Sequence, residues 1–131
     1  MLSVDGGEGM RLLVRGDLEA TRALLREFFT SQGWRVRETS PVRLDVETGS
    51  LRRSVLLGAF AGSRLHLRAR LELSVVPGGT RIRHLWNANV GLTLGGIYGR
   101  SRARERHAGT AQGLTEHLRV EGLLLEAVPE R

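Results

Sequence analysis

The chain has 131 residues, 40% of them apolar, and a formal net charge of +6, which describes one domain able to bury about two-thirds of its unfolded surface. All 20 cationic side chains are arginine and there is no cysteine. A P-loop lysine, a Schiff-base amine, a thiol nucleophile, a Cys-bound zinc and a disulfide are therefore excluded. No run reaches the roughly 18 apolar residues of a membrane span. Residues 1–9, with Asp5 and Glu8, read as a flexible lead and not a signal peptide. A cytoplasmic protein without membrane insertion is the expectation.

Arg11–Arg15 reads as a short strand, and Asp17 as the N-cap of a helix whose stripe is Leu18, Leu24, Leu25, Phe28 and Phe29. Gly33 stops that helix as its C′ residue, with Trp34 as the hydrophobic contact that follows. Strands are predicted over Trp34–Glu38, over Val42–Glu47 and over Leu51–Phe60. Their short connections favour an antiparallel meander.

The next pair of strands fixes its own register. From Leu65 to Val75 the odd positions are apolar, and from Arg81 to Val90 the apolar set is mostly even. Val76-Pro77-Gly78-Gly79 turns the chain between them. Pairing Val75 with Thr80 sets Leu73 beside Ile82, Leu71 beside His84 and Ala69 beside Trp86. Glu72 then faces Arg83 on the other side of the sheet.

Gly91–Gly99 reads as a glycine-rich loop, and a helix is predicted from Ser101. Its stripe is Ala103, His107, Ala111, Leu114, Leu118, Gly122 and Leu125, with Gly109 and Gly113 as weak points. The domain is expected over 10–127, with 128–131 a tail beyond the reach of the helix because of Pro129.

Segregated helices and a meander make the fold α+β. The element order resembles the START/Bet v 1-like superfamily, also called polyketide cyclase-like or helix-grip. The matching pieces are the strand before Asp17, the meander over 34–90, and Gly95-Gly96-Ile97-Tyr98-Gly99 leading into the last helix. The resemblance implies an antiparallel sheet of about six strands wrapped around a long C-terminal helix, with an apolar cavity between them. It carries over no catalytic residue, because those families have no strict residue signature. The chain has one helix after its first strand where many members have two.

On that frame the ligand-binding residues are Leu71, His84, Trp86, Tyr98, Leu114 and Leu118. Apolar burial would give affinity and His84 a polar orienting contact. The expected partner is a small apolar or amphipathic molecule held without catalysis and without a cofactor. An enzyme on the same fold would instead use His84 as acid or base. Arg100, Arg102 and Arg104 at the helix N-terminus form a candidate anion site, and with Arg106 an alternative surface for nucleic acid or a protein. The remaining arginines are spread along nearly every element and read as solvated. His66 and His84 point to opposite faces, and His107 and His117 lie about 80° out of phase on their helix, so no metal site is expected. Asp45 and Glu47 share a polar face with Arg43 and read as solvated.

Overall fold

The computed structural model describes residues 9–49, 66–86 and 92–130, with the backbone alone for 92–101. In chain order these form β1 (Gly9–Val14), α1 (Leu18–Ser31), β2 (Arg35–Ser40), β3 (Arg43–Thr48), β4 (Leu67–Val76), β5 (Gly79–Trp86), α2 (Leu92–Val120) and β6 (Leu124–Glu130). The fold is α+β. Its six strands make one antiparallel sheet in the order β2-β3-β4-β5-β1-β6.

Local chemistry sets the ends of α1. The Asp17 carboxylate accepts from the Ala20 backbone N–H at 2.8 Å, satisfying one of the free donors of the first turn. At the other end Gly33 adopts a positive φ of 91°. The Trp34 N–H then returns to the Phe29 carbonyl and the Gly33 N–H to the Thr30 carbonyl, a Schellman closure. The β4–β5 register follows the side-chain pattern from Ala69 to Trp86, with Ala69 opposite Trp86, Leu71 opposite His84, and Glu72 opposite Arg83; Leu65, Ala88 and Val90 of the expected pattern lie outside the described residues.

One face of the sheet carries the core. Leu44 and Val46 of β3, Leu67 to Leu73 at alternate positions of β4, and Ile82 of β5 are buried there. Leu25, Phe28 and Phe29 of α1 join the same cluster, as do Ala103, Ala111, Leu114 and Leu118 of α2. The α2 stripe expected from its spacing is thus buried from Ala103 to Leu118.

The ends of α2 differ from expectation. It begins at Leu92, so residues 92–99 of the segment expected as a glycine loop are helical. Each glycine weakens a helix by about 1 kcal/mol, but none breaks it as proline would, and no proline lies between Leu92 and Val120. The helix also stops at Val120, short of Leu125. Gly122, with φ 75°, donates its N–H to the Arg119 carbonyl, and the Leu123 N–H reaches the Leu118 carbonyl. This repeats the closure seen at Gly33.

The chain then returns as β6 and pairs antiparallel with β1. Residues 128–130 therefore belong to a strand and are not a tail. Pro129 is compatible with that strand because β6 is an edge of the sheet among the described residues, and an edge strand is where proline is tolerated. The strand expected over Leu51–Phe60 lies outside the described residues.

Candidate functional site

His84 follows from the alternation of β5: Ile82, His84 and Trp86 all turn to the core face. His107 sits on the buried stripe of α2, one turn after Ala103. These two elements bring His84, Trp86 and His107 together. The His84 ring meets Trp86 edge-on at a centroid distance of 4.9 Å, and His107 stacks on the other ring of the trio, Trp86, at 5.5 Å with planes 8° apart. Phe29 lies 5.5 Å from His84, and Trp34 lies 6.1 Å from His107. The helix α1 and its Gly33 closure thus supply the aromatic wall of the cluster.

The polar atoms of this trio set it apart from ordinary core. Both histidines are 0% exposed and Trp86 is 8% exposed. Among the described residues, Nδ1 and Nε2 of His84, Nδ1 and Nε2 of His107 and Nε1 of Trp86 have no hydrogen-bond partner. Burial pushes His84 down to about 3, with the neighbouring His107 contributing. Burial likewise pushes His107 down to about 4, assisted by the positive charge of Arg106. Both rings are neutral at pH 7, and each offers one donor and one acceptor. With the indole N–H, the cluster presents three donors and two acceptors in an apolar surround. A buried polar group without a partner costs about 1–3 kcal/mol, so this arrangement is a standing demand for polar contact.

Of the other expected ligand-binding residues, Leu71 pairs directly with His84 across β4 and β5. Leu71, Leu114 and Leu118 are packed into the core cluster. The Tyr98 and Arg100 side chains lie outside the described residues. Arg102 is exposed and Arg104 half-buried. Since α2 starts at Leu92, Arg102 stands almost three turns inside the helix. The positive end of the helix dipole acts within the first turn, so it does not assist Arg102 or Arg104.

Comparison with protein-family models and with curated proteins finds no match for this chain. The chemistry must therefore be read from the side chains themselves. Among the described residues no three metal-ligating side chains gather in one place, and no helix is long and apolar enough to cross a membrane.

His66 lies on the opposite face from His84, where its Nε2 is 2.5 Å from Glu47. That contact is the main reason the Glu47 carboxyl is held below its usual range. His117, ten residues along α2 from His107, is exposed and packs its ring 5.6 Å from Phe28. The residue that pattern reading missed is His107. Its place on the stripe marks it as buried, but only the docking of α2 on β5 sets it beside Trp86.

Proposed function

We propose that the protein binds a small, partly apolar molecule between the sheet and α2, at the His84–Trp86–His107 end of the interface. The observation that carries this reading is the set of five buried ring nitrogens without partners among the described residues. A hydroxyl or carbonyl group on the ligand would satisfy the imidazoles and the indole N–H. The rings of Phe29, Trp34 and Trp86 would surround its apolar part. The role is sequestration or presentation without bond-making. Both histidines are neutral and lack a carboxylate partner among the described residues, so neither is oriented as a general base.

Leu71, Leu114 and Leu118 pack in the same core cluster as Trp86 and would back the ligand's apolar part. The helix-grip reading goes with the same proposal: a six-stranded sheet holds a long helix along its core face, as in START/Bet v 1-like proteins. The strand β6 after that helix is this chain's own addition to the pattern.

Native mass spectrometry of protein purified from its own host, before and after denaturing extraction, tests the binding. A retained small molecule released on unfolding, and absent from a His84→Leu variant, is the expected result. Protein that carries no added mass, together with His84 and His107 ring nitrogens bonded to ordered water in a crystal structure, would overturn it.

A further inference from the structure

The face of the sheet turned away from both helices carries a second arrangement. Antiparallel register places Arg35 opposite Glu47 and Glu47 opposite Arg68. One row along, Arg37 faces Asp45 and Asp45 faces Arg70. Two carboxylates on β3 are thus flanked by four arginines on β2 and β4. A groove of about 670 Å³ opens over these rows, with Arg43 at its end. Its volume falls in the range of about 300–1,000 Å³ typical of small-molecule sites.

The carboxylates in this groove are already engaged. Asp45 takes Arg43 at 3.4 Å, Arg70 at 4.0 Å and the Thr39 hydroxyl at 3.3 Å. Glu47 takes Arg35 at 3.4 Å and His66 at 2.5 Å. Arg35 is further fixed by donating to the Gly49 carbonyl at 2.8 Å. Arg37 and Arg68 form no salt bridge among the described residues, and Arg68 feels only the more distant field of Glu47. The two lie on a diagonal, two strands and one row apart. Sheet spacings put their Cα atoms about 12 Å from one another, within reach of a common ligand for two long arginine side chains.

We propose that this groove binds a small organic anion carrying at least two phosphate charges, held between Arg37 and Arg68. Among the described residues that line the groove, five arginines stand against two carboxylates, an excess of positive charge. Each guanidinium fork matches a phosphate bidentately. The engaged carboxylates hold Arg35, Arg43 and Arg70 in place, which lowers the ordering cost of binding. A single-stranded nucleic acid fits less well. Trp86 is the one aromatic residue among the described lining of the groove, and its ring is taken up by His84 and His107 on the core side, while Glu72 continues the outer face with negative charge.

Calorimetric titration of the full chain with sodium pyrophosphate at about 0.15 M salt tests the site. Saturable binding is expected, weakened about tenfold or more in Arg37→Gln/Arg68→Gln and unchanged in Arg102→Gln. On the unsubstituted protein, pyrophosphate should shift the arginine Nε–H resonances of Arg37 and Arg68. That reading stands whether or not the double variant folds. No saturation below about 1 mM, or shifts confined to the α2 arginines, would overturn the proposal. A single-stranded oligonucleotide that displaces pyrophosphate and binds more tightly, with a steep salt slope, would overturn the small-anion assignment.

Discussion

Trp86 and His107 stack with parallel, offset rings, 5.5 Å between centroids, although they stand 21 positions apart in the chain. The contact joins the last residue of β5 to the buried stripe of α2. It does so through a ring that could donate a hydrogen bond and a ring that could donate or accept one. Neither uses that capacity on the other, because stacked rings point their N–H groups sideways. The stack is therefore adhesive through its π faces and open at its edges.

That openness predicts a trade between stability and binding. Replacing His84 by leucine removes two unpartnered nitrogens and keeps an apolar side chain of similar size. Loss of the ring contacts to Phe29 and Trp86 costs about 0.5–1.5 kcal/mol. Relief of the unmet polar groups returns about 1–3 kcal/mol. The ligand-free variant should then be more stable by about 1 kcal/mol in urea denaturation, while losing any retained molecule. A variant less stable than the parent by more than about 2 kcal/mol would show that the histidine nitrogens are satisfied in solution.

The same burial fixes a pH dependence. Both histidines have folded values below the unfolded 6.5, at about 3 for His84 and about 4 for His107. The unfolded chain thus binds more protons as pH falls below 6.5, and folding is opposed. Their stabilising neutrality is complete well above 6.5 and is lost progressively down to about 4 for His107 and about 3 for His84. At pH 5 the two together should have cost on the order of 4 kcal/mol. Urea midpoints between pH 7 and pH 5 should fall steeply, with about half the slope in His84→Leu. Equal midpoints at both pH values would mean that the rings titrate normally.

How far the residues reveal this fold depends on how local the deciding physics is. The β4–β5 register was legible because alternation and a Pro77-Gly78 turn act on adjacent segments. The end of α1 was legible from Gly33 followed by Trp34. The end of α2 was equally local, in Gly122 followed by Leu123, but the leucines beyond it continue a helical spacing and hide the stop. Helical period and strand pattern are hard to separate in a short apolar run such as Leu123-Leu124-Leu125.

The pairing of β6 with β1, two segments at opposite ends of the chain, has no local signal. The site was half visible: His84 and Trp86 share a strand face, whereas His107 joins them only through helix docking. The arginines of β2 and β4 showed their alternation in sequence. Their gathering into one groove needed the strand order.

The two helix closures predict a paired result. Gly33 and Gly122 both hold positive φ, 91° and 75°, where an added Cβ is strained even though nothing crowds it within 4 Å. Alanine at either position should destabilise the protein by about 1 kcal/mol. Asparagine, which tolerates this region better, should cost less. A stabilising Gly122→Ala would instead mean that α2 runs on past residue 122 in solution and that β6 is shorter. Amide exchange at Leu123, whose N–H is bonded to the Leu118 carbonyl at 2.9 Å, reports the closure directly.

Arg83 gives β6 its main side-chain anchor on the outer face. Its Nε donates to Glu130 at 2.7 Å and its Nη1 to Glu72 at 3.0 Å, which raises the guanidinium above its usual value, Glu130 first among the causes. On β1, Arg11 pairs with Arg83 and Gly9 with both Leu85 and Glu130, so the bridge to Glu130 runs diagonally across that strand. With 42% of the Arg83 side chain exposed, solvent screening limits the pair to about 0.5 kcal/mol. Arg83→Met should therefore leave the global unfolding midpoint nearly unchanged. Its effect should appear locally, as faster hydrogen exchange over 127–130 without change at Leu12 or Leu25. Uniformly faster exchange across the sheet would show instead that this bridge holds the whole fold and not only the end of its last strand.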